Sequence, residues 1–421
     1  MPDPNRQTAR ALALRALSRW RRSRTFAERI AEQTFASAAP RGSDRAFALE
    51  LFYGVLRNLS LLDFWIAQLR REHLEESARD ILRLGLYQIM LLDTAPHAAV
   101  FETVELARPR TRNLVNAVLR RALREKSSLT SAAEAQPVAV RFSHPEFLIA
   151  KWARQFGLEA AAELCRWNNR PAPVYARINR LRTSSENFLQ QHPETRPVSG
   201  RENYVVLSDP IAAAQTGDCY VQDPSTALAC ELLRPLQGET VLDACAAPGG
   251  KTAYLAELMS NRGQLLAADR DELRLARLHD NLVRLNATVA RTILCDWTDA
   301  ASIRAANPNR QTFDKILVDA PCSNTGVMRR RVDVRWRLEP ADFGRMARQQ
   351  LAILRGVAGF LKPGGSLVYS TCSLEAEENR EVVENFLKEH RSFRLTNEKQ
   401  SLPFRDGYDG AYAALLSCSC S

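Results

Sequence analysis

The chain has 421 residues, which is more than one ordinary core needs and predicts two or three domains. Its hydrophobic content of 45% suffices to bury them, and its formal net charge of +10 favours an anionic partner such as nucleic acid, although a solvated basic surface explains the charge equally well. The sequence has no apolar run long enough for a membrane span, and Met1 to Arg6 lacks the apolar stretch of a signal peptide, so a cytoplasmic protein is expected.

The first 125 residues carry apolar side chains at helical spacing and little that resembles a strand. Three sets at i, i+3, i+4 and i+7 each predict the apolar stripe of a helix. The sets are Leu62, Trp65, Ile66 and Leu69; Leu82, Gly85, Leu86 and Ile89; and Val115, Val118, Leu119 and Ala122. A basic exterior is predicted by the arginines opposite these stripes, which include Arg57, Arg70, Arg71, Arg120, Arg121 and Arg124. An all-helical domain over residues 1–130 is therefore expected.

A segment rich in serine and alanine follows this domain. Residues 126–137 have the composition of a linker, which predicts a domain boundary there. Beyond it, residues 142–156 and 159–167 carry two further helical patterns.

A short strand pattern comes next. Residues 173–180 alternate as a strand does, which places Arg177 and Asn179 on one face. Because helices and a strand occur together in this part of the chain, we expect a small mixed α/β domain over residues 138–232.

From Glu239 onward, strand, turn and helix patterns alternate. This alternation predicts a doubly wound parallel sheet of the Rossmann-like α/β class, in a domain over residues 233–417. The strands are predicted by the apolar runs 241–242, 265–268, 293–294, 316–318 and 367–369. In such a sheet ligands bind beyond the carboxyl ends of the strands, so the residues that close each run are candidates for a site.

The ends of the first three runs predict a cofactor crevice. The glycines Gly249 and Gly250 let a ligand approach the backbone at a helix start, although taken alone they also fit a plain strand-to-helix turn. Asp269 closes the second run at the distance expected for a carboxylate that binds ribose hydroxyls, and Asp296 closes the third, where an adenine amine can be recognised. A phosphate-binding P-loop is disfavoured, because that motif needs a glycine where Cys245 stands.

The fourth and fifth runs are each followed by a cysteine, Cys322 and Cys372, and a doubly wound order brings both to the same crevice. Both lie just past a strand beside small polar residues, where a polar ligand would enter, and two such thiols favour covalent catalysis. Buried structural thiols are the commoner kind, and to that kind we assign Cys165, Cys219 and Cys230.

Metal binding is not expected. The chain has nine cysteines, an odd number that argues for reduced thiols. Cys418 and Cys420 are the one closely spaced pair, and no histidine stands near them, so no zinc site is predicted.

Three motifs together resemble the RNA cytosine-5 methyltransferases of the NOL1/NOP2/Sun family, and within it the bacterial Sun type that modifies 16S ribosomal RNA. The motifs run from Val241 to Thr252, from Asp314 to Ser323 and from Gly365 to Ser373. The leader resembles the antitermination factor NusB through residues 45–57 and 113–121. The resemblance covers nearly the whole chain and implies a NusB-like RNA-binding domain before a methyltransferase domain that uses S-adenosylmethionine (SAM).

The resemblance also implies roles for individual residues. Cys372 would be the nucleophile, Cys322 would assist product release, and Asp319 would contact the target base and lie beside SAM. The implied SAM contacts are Cys245, Ala246, Ala247, Pro248, Gly249, Gly250, Lys251, Asp269, Asp296 and Asp319. The implied RNA contacts are Arg177, Asn179, Arg329 and Arg330. DNA cytosine-5 methyltransferases instead use the cysteine of the Pro-Cys element and follow it with Glu-Asn-Val, which this chain lacks.

By this resemblance the protein is expected to form 5-methylcytosine in 16S ribosomal RNA, free or in an assembling small subunit, through a covalent cysteine adduct, and to act as a monomer. Two alternatives stay open: a transfer RNA cytosine-5 methyltransferase with the same catalytic residues, and a non-catalytic ribosome-assembly factor that binds RNA. The second is disfavoured because a pure binder has no chemical need for Cys322, Cys372, Asp319, Gly249 and Gly250.

Overall fold

The computed structural model describes residues 8–36, 42–92 and 94–419. These residues form two compact units. The first unit comprises the described residues up to Arg170 together with Met328–Leu338, and the second comprises Pro171–Val327 and the described residues from Glu339 onward. The first unit therefore extends past the boundary that the sequence predicts at residues 126–137.

The first unit is helical. Its first helices are α1 (Ala9–Arg22), α2 (Ala27–Ala36), α3 (Gly42–Arg57), α4 (Leu59–Leu69), α5 (Glu76–Met90), α6 (Pro96–Val104), α7 (Pro109–Arg124), α8 (Lys126–Glu134), α9 (Val138–Arg141), α10 (Glu146–Phe156) and α11 (Leu158–Asn169). The predicted apolar stripes are confirmed, since Leu62, Leu82 and Leu119 are fully buried in one shared core.

The linker predicted at residues 126–137 is wrong, because most of it forms helix α8. Leu129 and Ala133 lie one turn apart and are buried in the helical core. The indole of Trp65 on α4 also donates a hydrogen bond to the carbonyl of Leu129 at 2.9 Å. The segment is polar in composition, but its two apolar residues are spaced so that both face the core, and this suffices to pack the helix against its neighbours.

The second unit begins with a small sheet. Its strands are β1 (Tyr175–Ile178), β2 (Arg196–Val198), β3 (Arg201–Val206) and β4 (Cys219–Val221). All pairs are antiparallel, in the order β2-β3-β1-β4. The strand predicted within residues 173–180 is thereby confirmed as β1.

The remaining strands form one seven-stranded sheet in the order β10-β11-β9-β8-β5-β6-β7. They are β5 (Thr240–Asp243), β6 (Gln264–Asp269), β7 (Ala290–Leu294), β8 (Phe313–Asp319), β9 (Leu361–Thr371), β10 (Phe393–Ser401) and β11 (Ala411–Cys418). Strands β5 to β9 pair in parallel, whereas β10 and β11 add an antiparallel edge. The predicted doubly wound α/β fold is confirmed, with each predicted apolar run inside a strand.

Helices cover both faces of this sheet. From residue 185 onward the helices are α12 (Ser185–Gln191), α13 (Pro210–Gln215), α14 (Ala227–Leu233), α15 (Gly250–Leu258), α16 (Glu272–Arg284), α17 (Ala300–Ala306), α18 (Val334–Arg337, in the first unit), α19 (Pro340–Ala358), α20 (Arg380–Glu389) and α21 (Pro403–Asp406). Alternate strand residues face opposite cores: Leu317 lies in the core with α14 to α16, and Ile316 lies in the core with α19 and α20. Within the described ranges, no helix is both long and apolar enough to cross a membrane.

Residues 328–338 belong to the first unit although they lie far along the chain. Arg335 is fully buried, and its guanidinium donates to Asn169 Oδ1 at 2.7 Å. Burial lowers the pKa of Arg335 to about 9. The carboxylate of Asp333 accepts a hydrogen bond from the backbone N–H of Ala27 at 2.8 Å. Polar contacts of this kind fix the segment among the helices of the first unit.

Candidate active site

The loop that joins β5 to α15 ends in two glycines that packing against other side chains requires. Gly249 has a φ of +108°, and a Cβ there would lie 2.9 Å from the side chain of Leu278. A Cβ on Gly250 would lie 2.5 Å from the ring of Tyr220. Neither position accepts a side chain without rearrangement, so glycine is required at both. Approach of a ligand to this helix start stays a prediction.

Asp269, at the end of β6, is joined directly to this loop. Its buried carboxylate accepts hydrogen bonds from the backbone N–H of Ala247 at 3.2 Å and of Asp271 at 3.1 Å. The guanidinium of Arg274 donates to the carbonyl of Ala247 at 2.7 Å. The loop and the second strand end are therefore held as one rigid edge of the crevice.

Asp296 follows β7 at the third strand end. Its Oδ1 accepts hydrogen bonds from the N–H of Thr298 at 2.9 Å and from its hydroxyl at 2.6 Å. Partial burial raises the pKa of Asp296, but the hydrogen bonds from Thr298 outweigh burial, and the net pKa lies below the usual range. The neighbouring Trp297 donates its indole N–H to the carbonyl of Ala244 at 2.9 Å, which connects the third strand end to the first.

Asp319 closes β8 and accepts hydrogen bonds at both carboxylate oxygens. Lys251 Nζ lies 2.7 Å from Oδ2, and Ser370 Oγ lies 2.7 Å from Oδ1. Burial alone would lower the pKa of Lys251, but the charge of Asp319 outweighs it and raises that pKa, so the ammonium keeps its proton. The sequence predicts Lys251 only as a cofactor contact, and the structure also pairs it with Asp319.

The two cysteines predicted to share a crevice lie in contact. Cys322 Sγ and Cys372 Sγ are 3.3 Å apart. Cys322 is buried, whereas Cys372 is half-buried. The hydrogen bond with Cys372, followed by burial, raises the pKa of Cys322 well above its usual range. Cys322 is therefore held as a neutral thiol beside a more accessible one.

A buried carboxylate connects the loops that carry the two cysteines. Glu378 is fully buried, and its Oε2 accepts from the backbone N–H of Ser323 at 2.8 Å and from Gln350 Nε2 at 3.0 Å. Its Oε1 accepts from the hydroxyl of Ser373 at 2.9 Å. Sequence reasoning missed Glu378, because it stands in an acidic run that is typical of an exposed surface.

The cysteine loops also meet through main-chain contacts at Gly326. Its N–H donates to the carbonyl of Cys372 at 2.9 Å, and its carbonyl accepts from the N–H of Gly410 at 2.8 Å. A Cβ at Gly326 would lie 2.6 Å from the Cys372 carbonyl oxygen. Only glycine permits this approach, and it fixes the separation of the two thiols.

Two residues predicted to contact RNA are internal. Arg177 is fully buried, forms an ion pair with Glu257 and lies 4.4 Å from the ring centroid of Tyr254. Asn179 is buried and donates to the carbonyl of Leu285 at 2.8 Å. Both side chains stabilise the second unit from within, so their burial contradicts the RNA contacts expected of them.

The other two predicted RNA contacts lie in the first unit. Arg329 is 7% exposed, with its guanidinium 4.2 Å from the ring centroid of Trp167 and its Nε 3.2 Å from the carbonyl oxygen of Arg170. Arg330 is half-buried. Contact of this pair with RNA stays a prediction.

The other cysteines divide as expected where the structure describes them. The thiols assigned to cores are fully buried, namely Cys165, Cys219 and Cys230. Cys418 is half-buried at the end of β11, and Cys420 lies outside the described residues.

Asp243, the last residue of β5, is a buried carboxyl beside the crevice. Its Oδ2 accepts a hydrogen bond from the hydroxyl of Thr252 at 2.7 Å. Burial raises the pKa of Asp243 to about 7, and the nearby charge of Asp319 acts in the same direction. The folded protein therefore binds a proton between pH 4 and 7 that the unfolded chain releases.

We expect the Asp243→Asn variant to lose this pH dependence. In the native protein the free energy of unfolding should fall as pH rises through that window and level off above it, by at most about 4 kcal/mol from this carboxyl. Urea denaturation of both proteins at pH 5, 6, 7 and 8 measures the difference. Asp280→Asn on exposed α16 is the matched control. Parallel curves for Asp243→Asn and the native protein would contradict the assignment.

Comparison with known proteins places this site in a family. The model described as 16S rRNA methyltransferase RsmB/F matches residues 230–416, the NusB family model matches residues 7–124, and the ferredoxin-like domain model of RsmF/B-like methyltransferases matches residues 144–194. A probable ribosomal RNA small subunit methyltransferase B from Bacillus subtilis is 35% identical over 412 residues, which cover 93% of this chain and 91% of that protein. The chain belongs to the RsmB/F methyltransferase family.

Two further similarities agree with this membership. Ribosomal RNA small subunit methyltransferase B from Vibrio cholerae is 38% identical over 399 residues, which cover 90% of each chain. A solved methyltransferase homologue from Pyrococcus horikoshii is 28% identical and has a TM-score of 0.58, covering 67% of this chain and 97% of its own. The expected NusB-like leader, Rossmann-like fold and SAM dependence of an RsmB/F methyltransferase are thereby confirmed.

The crevice fits SAM on its own chemistry. The carboxylates of Asp269, Asp296 and Asp319 stand at the ends of β6, β7 and β8, with β5 and its glycine-containing loop between β8 and β6, and carboxylates there can bind hydroxyl and amine groups. We assign these residues to the cofactor contacts of the RsmB/F enzyme as a proposal.

Proposed function

We propose that this RsmB/F protein forms 5-methylcytosine in 16S ribosomal RNA through a covalent bond between Cys372 and C6 of the target cytosine. The observation that carries the proposal is the contact of Cys372 with Cys322 at 3.3 Å, on strand ends next to the pair of Asp319 and Lys251. The relatives named ribosomal RNA small subunit methyltransferase B support the RNA substrate.

The chemistry requires a nucleophile because C5 of cytosine has no lone pair to accept a methyl group. Addition of the Cys372 thiolate forms an S–C6 bond and moves the C5–C6 π pair onto C5. Bound SAM supplies the methyl group that C5 accepts. A base then takes the C5 proton, and the electron pair left behind expels the sulfur, which breaks the S–C6 bond and restores aromaticity.

Asp319 and Lys251 have a role in the addition step. A proton or hydrogen bond at N3 of the base withdraws charge from the ring and lowers the barrier to attack at C6. The Asp319 carboxyl, oriented by Ser370 and Lys251, is the group that contacts the base, and it supplies this hydrogen bond only in its protonated form, because an ionised carboxylate has no proton to donate. The Lys251 ammonium lies 2.7 Å from that carboxylate and supplies positive charge where negative charge develops.

The contrast between the two thiols supports Cys372 as the nucleophile. Cys322 is buried whereas Cys372 is half-buried, and burial raises the pKa of the Cys322 thiol, so Cys322 is the poorer attacking group. Its S–H can instead donate to the sulfur of Cys372 as that sulfur leaves C6. A neutral thiol in contact with the leaving group is what assisted product release requires.

The test is transfer of labelled methyl from SAM to unmodified 16S RNA, to small subunits lacking the modification and to unmodified transfer RNA, with the product nucleoside identified. We expect 5-methylcytosine in 16S RNA, free or within the subunit. Label in transfer RNA alone would move the substrate to the alternative class. Absence of label from all three substrates would contradict the proposal and favour a binding role.

A further inference from the structure

Asn324 contacts both cysteines and has no role in the function proposed above. It lies two residues after Cys322 with a φ of +61°, in the left-handed region that asparagine tolerates better than most residues with a side chain. Its Nδ2 donates to the carbonyl of Cys322 at 2.8 Å. Its Oδ1 accepts from Cys372 Sγ at 3.3 Å.

The orientation of the Asn324 amide follows from these partners. The Cys322 carbonyl can only accept a hydrogen bond, so the NH₂ group must face it, and the amide oxygen must then face Cys372. A carbonyl oxygen has no proton to give. Cys372 therefore donates its own S–H to Asn324 in the enzyme without substrate.

This hydrogen bond fixes the direction of the contact between the sulfurs. Cys372 has a single thiol proton, and Asn324 accepts it. The proton shared across the 3.3 Å between the sulfurs must come from Cys322. The three residues form one directed chain, in which Cys322 donates to Cys372 and Cys372 donates to Asn324.

We propose that Asn324 is a further catalytic residue, whose amide oxygen keeps the Cys372 thiol protonated and oriented until RNA is bound. The inference rests on the proposed role of Cys372 as nucleophile. An amide oxygen next to a thiolate is repulsive, so Cys372 gives up its hydrogen bond to Asn324 when it ionises, and the proton passes to solvent, which reaches this half-buried thiol. The S–H of Cys322 remains to stabilise the thiolate.

Alkylation of Cys372 by iodoacetamide in the full-length protein, without RNA or SAM, tests the proposal. The thiolate sulfur bonds to carbon, iodide leaves, and the thiol proton goes to buffer. Peptide mass spectrometry gives the rate of alkylation at each pH from 6 to 10. The pH of half-maximal rate (the midpoint) reports ionisation of the thiol, and the plateau of the rate at high pH reports access of the reagent to it. Asn324→Gly removes the amide but permits a positive φ. Asn324→Asp keeps the shape and adds negative charge.

We expect the midpoint for Asn324→Gly to fall by roughly 0.5–1 pH unit, the effect of one ordinary hydrogen bond, and the midpoint for Asn324→Asp to rise. Cys322→Ala should also raise the midpoint, because the thiolate loses its donor. A change confined to the plateau in both Asn324 variants would overturn the proposal. The assay involves no methyl transfer, so its result stands apart from that of the RNA experiments, and thermal unfolding of each variant verifies folding.

Discussion

Replacement of Cys372 by alanine is expected to lower the rate of methyl transfer by more than about 1,000-fold, because the bond to C6 then cannot form. Cys322 lies 3.3 Å away but cannot substitute, since it is buried, and burial alone raises the pKa of its thiol when the hydrogen bond from Cys372 is gone. The measurement is a single-turnover rate with saturating SAM and the RNA substrate identified by the product assay.

Cys418→Ala provides the matched control for this loss. Cys418 is a half-buried thiol like Cys372, but it lies at the end of β11, whereas Cys372 follows β9. Its replacement should leave the rate within about twofold, as expected for a surface substitution away from the site. Affinity of Cys372→Ala for SAM should be unchanged. Full methyl transfer by Cys372→Ala would refute its assignment as the nucleophile.

The Cys322→Ala variant is expected to accumulate a covalent complex of protein and RNA. Without the neutral thiol next to Cys372, the sulfur loses the donor that assists its departure from C6, so elimination slows more than addition. Most of the bound RNA should then remain attached. Incubation with labelled RNA and SAM, followed by denaturing electrophoresis, measures the fraction of protein whose mobility is shifted.

The double variant Cys322→Ala/Cys372→Ala should form no such complex, which identifies the attached sulfur. Cys230→Ala, a change at a fully buried core thiol, should behave as the native protein in this assay. If Cys322→Ala gave product at the native rate without a detectable adduct, the two-cysteine scheme would be refuted.

Much of the site was predictable because parallel strands bring their carboxyl ends to one edge of a sheet. The apolar runs before Asp269, Asp319 and Cys372 identify three of those ends, and each run lies in a strand of the structure. The contact of Cys322 with Cys372 follows from the neighbouring positions of β8 and β9. Local sequence patterns therefore suffice to predict a site whose residues all lie at the ends of parallel strands, because the sheet brings those ends together.

The unpredicted parts depend on tertiary neighbours that local patterns do not contain. Alternation in β1 indicates the face on which Arg177 lies, but it cannot reveal that Glu257 and Tyr254 bury it there. Glu378 is a similar case, because an acidic residue in an acidic run shows no sign of burial. Lys251 belongs to a recognisable motif, yet its pairing with Asp319 joins the ends of two strands.

Residues 328–338 restrict how this chain can be divided or recombined. The second unit is interrupted between Val327 and Glu339, so each unit is assembled from separate stretches of sequence. A fragment that starts at Pro171 would carry Arg335 without Asn169 and the other groups that bury it. A single crossover in the gene therefore cannot exchange the first unit intact, because residues 328–338 are encoded beyond the stretch Pro171–Val327 of the second unit.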